Sequence, residues 1–380
     1  MTGAVTIHAA WSPGEVRVAV VAQDSLMEYA LWRPGAPDGV GDVHGARVLG
    51  VVPAMAGAFV ALEGAEAFLP DSEGAKGLTV GAILTVRVTR AALGGKGPRV
   101  SARDVEPGEG AAGLLRRGQN PLRACAARYP HARILVDDPA LAASLRADLG
   151  PRLARVPRAF DDAIETAVDS LSESEVTLPS GARLSFHPTP ALVAIDVDGA
   201  AALRGRESAA QRHKNLNEAL LPDLARQIRL RDLSGAILVD FAGMKARQRA
   251  VLAPALTAVL AADPLRPRFL GFTALGFAEI ARPRVRPPLH ELLAGPLASG
   301  LAALRALALA AAAEPGRALS LFLRASPAVA AALTADPVAL ADLARVTGRV
   351  LTPRSDPSLP ANGWRIETAH GQNPIPLPHL

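Results

Sequence analysis

Two short apolar runs in the second half of the chain each end abruptly in acid. Ala191–Ile195 runs straight into Asp196-Val197-Asp198-Gly199, and Gly235–Val239 runs straight into Asp240. Apolar runs of this length, bounded by turn residues, read as buried strands. Between them lies a long helical stretch, about Ser208–Arg231, with a break at Gly235. A strand, helix, strand order predicts a parallel or mixed sheet with a right-handed crossover. If the two strands are neighbours, Asp196 and Asp240 emerge at one sheet edge and can share a hard cation. Mg²⁺ is commonly held by one or two carboxylates plus waters and a substrate phosphate, and such an ion generates hydroxide and offsets charge at phosphorus. An Asp at the end of a strand also commonly caps the next turn, so spacing alone leaves both roles open.

The chain has 380 residues, more than one hydrophobic core normally spans, which predicts several domains. Glu15–Val21 and Met27–Trp32 read as strands ahead of a Pro/Gly/Asp break at 34–42. Ala46–Val52, Ala58–Leu62, Glu66–Pro70, the alternating Leu84–Thr89 and Arg99–Arg103 follow, five short strands that suggest a small barrel. On it, Phe59 and Phe68 could stack on bases or fill the barrel, and Lys96 sits in the loop Gly94-Gly95-Lys96-Gly97. From Gly113 to Leu171 the pattern is mixed, opening on an Arg-rich helix-like stretch. Met244–Ala262 reads as a helix, Arg268–Phe272 as a strand, Arg282–Pro288 as a linker, and Leu289–Val350 as alanine-rich helix around a strand at Ala318–Leu323.

The cations number 41 against 36 acids, and only Lys76, Lys96, Lys214 and Lys245 are lysines, leaving 37 arginines. Arginine forks suit phosphate, although codon usage alone can produce the same bias. Several basic residues flank the two aspartates, among them Arg204, Arg212, Arg226, Arg231, Lys245, Arg247 and Arg249. A carboxylate pair ringed by cations is what a metal-dependent nuclease requires; a solvated helix face is the simpler reading. The single Cys125 excludes an intramolecular disulfide or a Cys-x-x-Cys zinc site. It points to a reducing compartment, and with no signal-peptide pattern before Glu15 the expected location is the cytoplasm. The apolar stretch Leu292–Ala313 is interrupted by Arg305, so a soluble protein without a membrane span is expected. No Walker loop, HExxH or GxGxxG appears.

Taken in order, Leu178-Pro179-Ser180-Gly181, Ala194-Ile195-Asp196-Val197-Asp198, Arg204-Gly205, Asn215-Leu216, Ala225 to Gly235 (ARQIRLRDLSG), Val239-Asp240-Phe241 and Arg247 to Val251 (RQRAV) resemble the ribonuclease E/G family. Upstream, Ala58-Phe59-Val60, Gly64, Phe68-Leu69-Pro70 and Gly95-Lys96-Gly97 look like that family's OB-fold module. Downstream, Leu275–Ile280 with Arg282 looks like its post-catalytic strand and helix. The resemblance implies an α/β multi-domain architecture. An RNase H-like domain (1–35 and 113–175) would be interrupted by an OB-fold β-barrel (36–112). A DNase I-like catalytic subdomain (176–288), a small C-terminal α/β domain (289–366) and a disordered tail (367–380) would follow.

The implied activity is Mg²⁺-dependent endonucleolytic hydrolysis of single-stranded RNA, Mn²⁺ being a possible substitute, leaving 5′-phosphate and 3′-hydroxyl ends. Asp196 and Asp240 fall on the family's metal-binding aspartates. Phe59, Phe68 and Lys96 fall on its RNA-contacting positions, and Arg204, Lys245 and Arg249 are candidates for substrate charge. The departures are specific. Asp198 stands where the family usually has Asn, adding a third acid that could join the metal. The Cys-x-x-Cys zinc link expected near Leu289–Gly300 is absent, so no zinc is expected and a homo-oligomer would need other contacts. Ala274 stands where an arginine is expected, and no Arg-Thr-Ala motif lies between Arg103 and Val176. These departures keep a second expectation open, a non-catalytic RNA-binding relative.

Overall fold

The computed structural model describes residues 4–106, 112–199, 208–313 and 321–368. They form a mixed α/β structure with four β-sheets, in two compact units that are each discontinuous in sequence. The proline-rich tail beyond 368, expected to be disordered, lies outside the described residues.

The first unit combines residues 1–37, 120–172 and 289–380. Its five-stranded sheet runs in the order Leu153–Arg155, Arg133–Val136, Val5–Ser12, Glu15–Ala22, Ser25–Trp32. The first three strands are parallel, and the last two are added as antiparallel hairpins. Pro13-Gly14 makes the first hairpin turn, with Gly14 at φ +78°, the Pro-Gly pairing that a type II turn favours. The central strand Val5–Ser12 is absent from the sequence-based reading. Its residues do alternate, Val5, Ile7, Ala9 and Trp11 toward the core against Thr6, His8 and Ser12, so the period-2 pattern was present in the sequence. Helices Pro121–Arg128 and Pro139–Leu149 cover one face through Leu122, Leu141 and Leu145.

The C-terminal part packs helix Gly295–Ala313 on a three-stranded sheet of Leu321–Ala325, Arg354–Ser355 and Trp364–Thr368. The strand expected at Ala318–Leu323 is described from Leu321 to Ala325, and its first three expected residues fall in 314–320, outside the described part. Among the described residues Gly295–Ala313 is one helix long and apolar enough to cross a bilayer. Leu301, Leu304 and Leu307 pack one side of it against Leu323, Val329 and Leu333, while Leu309 on its other side is exposed.

The second unit combines residues 38–119 and 173–288. Its first sheet closes on itself: Val43–Val52 pairs with both Gly57–Leu62 and Ile83–Arg90, and Ala65–Pro70 and Arg99–Ser101 complete a five-stranded barrel. Gly113–Arg116 is a sixth strand, paired with Val43–Gly45; the expectation of a helix there fails because Leu114 and its neighbours extend the barrel edge. Ala46, Val48, Ala58, Val60, Ala67, Leu69, Val86 and Val100 fill the interior.

The other sheet runs Glu175–Thr177, Arg183–Pro188, Leu192–Asp198, Gly235–Asp240, Ala278–Arg282, Arg268–Phe272. The two acid-ended strands are adjacent and parallel, joined by the 22-residue helix Ala209–Leu230. Leu216, Leu220, Leu221, Leu224 and Ile228 give that helix an apolar stripe, which buries against Val193, Ile195, Val197, Ile237 and Val239. The expected single helix over 244–262 is three pieces, Ala246–Arg249, Ala250–Leu252 and Ala253–Leu260, with Pro254 inside the first turn of the last.

Candidate active site

Strand register brings the acids together. Asp196 is the direct partner of Asp240 across the parallel pair, and Ser185 and Glu175 continue the same row on the next two strands. Paired residues point to one face of a sheet, and neighbouring strands lie about 4.8 Å apart. The two carboxylates therefore stand side by side on the face opposite the helices. Asp196 is exposed, and its side chain makes no hydrogen bond or ion pair with another described residue. Asp240, at the end of its strand, is 43% exposed at the side chain.

Asp240 is held by Arg249, whose side chain is only 10% exposed. Arg249 Nη1 donates to Asp240 Oδ1 at 2.7 Å and to the Gly276 carbonyl at 2.8 Å, while Nε donates to the Met244 carbonyl at 3.0 Å. This guanidinium is thus part of the wall behind Asp240. Asp198, two residues along and on the same face as Asp196, pairs in register with Arg183. Arg183 donates Nη2 to Asp198 Oδ2 at 3.0 Å and Nη1 to Glu175 Oε2 at 3.2 Å. Among the described residues no group of three metal-ligating side chains is gathered. The fit to a divalent ion rests on Asp196 and Asp240, two hard oxygen donors in register.

The loop after Asp240 is tied to the crossover helix. Asn217, fully buried, donates Nδ2 to the Ala242 carbonyl at 2.9 Å. His213, one turn earlier, lies against Gly243, where a Cβ would fall 2.1 Å from its Nε2. Lys245 follows, exposed, with its backbone N–H donating to Gln248 Oε1. Arg204 lies outside the described residues. Much of the surrounding positive charge is already committed: Lys214 pairs with Glu218, Arg226 with Asp223, and Arg231 is buried over the Phe186 ring and bonded to the Glu173 carbonyl.

On the barrel, Phe59 and Phe68 are direct cross-strand partners with ring centroids 5.4 Å apart, edge to face. Both are half-buried, and the residues flanking them, Ala58, Val60, Ala67 and Leu69, are the ones that point into the interior. The two rings therefore lie on the outer surface. Lys96 is exposed in a two-residue turn with Gly94 and Gly95 at φ +56° and +74°. Arg183, Ser185 and the buried bonding of Arg249 have no signature in the sequence; register and burial alone reveal them.

The sequence profile of the Ribonuclease E/G family matches residues 152–285, the stretch that carries both aspartates. That segment is similar to the ribonuclease E/G family. The chain is 35% identical to Ribonuclease E of Escherichia coli over 129 residues, 34% of this chain and 12% of that protein. It is 35% identical to Ribonuclease E of Nostoc sp. over 132 residues, 34% of this chain and 19% of that one. With Ribonuclease G of Escherichia coli it shares 32% over 132 residues, 34% of this chain and 27% of that protein. The ribonuclease E/G segment thus spans about a third of the chain and a smaller part of these relatives.

Proposed function

We propose that the chain is an endoribonuclease that hydrolyses phosphodiester bonds of single-stranded RNA with the help of Mg²⁺. The observation that carries this reading is the direct register pairing of Asp196 with Asp240 inside the ribonuclease E/G segment. Asp196 and Asp240 would hold the ion, which when bound supplies a hydroxide nucleophile at neutral pH and offsets charge on the phosphate. The chain's own residues supply placement. Arg249 fixes the Asp240 carboxylate against the Gly276 turn, and Asp196 is left open toward solvent. Arg183 neutralises Asp198, which removes repulsion between that third acid and an incoming phosphate. Lys245, exposed five residues after Asp240, is the cation we assign to the RNA backbone. Phe59, Phe68 and Lys96 make the barrel a platform for unpaired bases, in keeping with an OB-fold.

The same reading names the five-stranded sheet of the first unit RNase H-like, the carboxylate sheet DNase I-like and residues 289–366 a C-terminal domain. It places the protein in the cytoplasm, where the buried Cys125 stays reduced. A second reading, RNA binding without cleavage, is favoured by one contact: Arg249 already supplies a positive charge to Asp240.

Incubation of 5′-labelled single-stranded RNA with the purified chain and Mg²⁺ separates the two. Cleavage lost with EDTA, with Asp196→Asn and with Asp240→Asn is the expected result. Binding without cleavage at high protein concentration would leave only the second reading.

A further inference from the structure

One edge of the barrel gathers positive charge without balancing it. Phe68 pairs with Arg99, and Arg99 in turn pairs with Arg90, so the row Phe59, Phe68, Arg99, Arg90 crosses four strands. The interior beneath it is filled by Val60, Leu69, Val88 and Val100, which leaves the row on the outer surface. A third arginine joins it from the carboxylate sheet. The Ala91 N–H donates to the Val285 carbonyl at 2.9 Å, which ties the segment after Arg282 to the barrel. The Arg284 guanidinium lies on Gly235, where a Cβ would sit 2.3 Å from Nε.

Among the described residues none of the three arginines forms an ion pair or a side-chain hydrogen bond with a protein group, and Arg90 Nε is buried without a partner. Burial first, and then the charges of Arg99 and Arg284, hold the Arg90 guanidinium below its usual range. The neighbouring Arg286 is different, being paired with Asp38 at 2.5 Å. Three guanidinium forks that repel one another, with donors to spare, match the oxygens of a phosphodiester.

We propose that Arg90, Arg99 and Arg284 form a phosphate site for the backbone of a single RNA strand whose bases stack on Phe59 and Phe68. The inference rests on the RNA reading above. Gly235 and Asp240 are the two ends of one strand, about 17 Å apart at 3.3 Å per residue. The phosphate held here is therefore not the one cleaved at Asp196 and Asp240.

The test is fluorescence anisotropy of a labelled oligouridine with hydroxyl ends, titrated with the full chain in EDTA over a series of salt concentrations. Arg90→Gln, Arg99→Gln and Arg284→Gln should each weaken binding about three- to tenfold and lower the salt slope by about 0.7. Arg99→Lys should keep the slope, and Arg133→Gln, an exposed arginine of the other unit, should change nothing. Because the three cations repel, the glutamine variants should melt no lower than the parent chain. A lower melting temperature together with lost binding would make the cluster structural and overturn the site. So would unchanged affinity in the triple variant while Phe59→Ala still weakens binding, which leaves the RNA reading intact. Dependence on a 5′-phosphate would move the site to an RNA end, and equal competition by polyglutamate would make it a surface for acidic protein; either overturns the proposal. A parent chain that fails to bind oligouridine removes the RNA reading itself.

Discussion

A guanidinium that is buried, bonded to two carbonyls and still aimed at a half-exposed carboxylate holds that carboxylate in one place. Arg249 does this for Asp240. Lysine keeps the charge but cannot span three acceptors in the same plane. Arg249→Lys should cost about 1–3 kcal/mol through the unpaired Met244 and Gly276 carbonyls, measured by urea unfolding. It should lower kcat with little change in KM for RNA. A raised KM at constant kcat would instead mean that Arg249 meets substrate phosphate, the role its charge alone suggests. Asp198 presents the opposite case, because its pair with Arg183 is about half exposed on both sides. Such pairs contribute roughly 0–1 kcal/mol, so Asp198→Asn should leave stability nearly unchanged. It should remove one negative charge from this face, leaving Arg183 on Glu175 alone, and tighten RNA binding about two- to threefold at low salt, a gain that vanishes at high salt; anisotropy at two ionic strengths reads both. Asp196 and Asp240 were legible in the sequence because an acid that ends an apolar run announces its own position. Arg183 was not, because its link to Asp198 depends on the register of two strands joined through a turn.

At the scale of elements, the crossover helix and the loop after Asp240 form one device. Asn217 bonds the Ala242 carbonyl, and the ring of His213 covers Gly243, whose φ of +62° only glycine adopts without strain. Gly243→Ala should destabilise the carboxylate sheet by about 1–3 kcal/mol through that backbone strain and displace His213. It should also depress cleavage more than RNA binding, since the loop leads to Lys245 and Arg249 and not to the barrel. An equal fall in both would mean that the whole unit, rather than the loop, has been perturbed. The helix itself was readable from its leucine spacing, and the barrel strands from their alternation and turns. Val5–Ser12 also alternates, Val5, Ile7, Ala9 and Trp11 against Thr6, His8 and Ser12, and was overlooked although its pattern was there to read; the helix expected over 244–262 was broken by a proline and by the demands of Arg249.

The whole molecule carries its aromatic reporters unevenly. Trp11, Trp32 and Trp364, all three of its tryptophans, and Tyr29 and Tyr129, both of its tyrosines, lie in the first unit. The second unit, with the barrel and the carboxylate row, has neither. Each unit owns separate hydrophobic clusters, Ile7, Val18 and Ile134 or Leu304 and Leu323 in the first, Val60 and Val86 or Ile195 and Ile237 in the second. Two cores of this kind need not unfold as one, and non-coincident transitions by different probes are the mark of that independence. Tryptophan emission follows the first unit alone, whereas far-ultraviolet circular dichroism follows both. In urea the two curves should separate. Ile195→Ala, a buried deletion costing about 2–5 kcal/mol, should shift part of the dichroism curve and leave the emission midpoint in place, while Leu304→Ala should shift the emission midpoint. Superimposable curves in all three proteins would mean that the units unfold together.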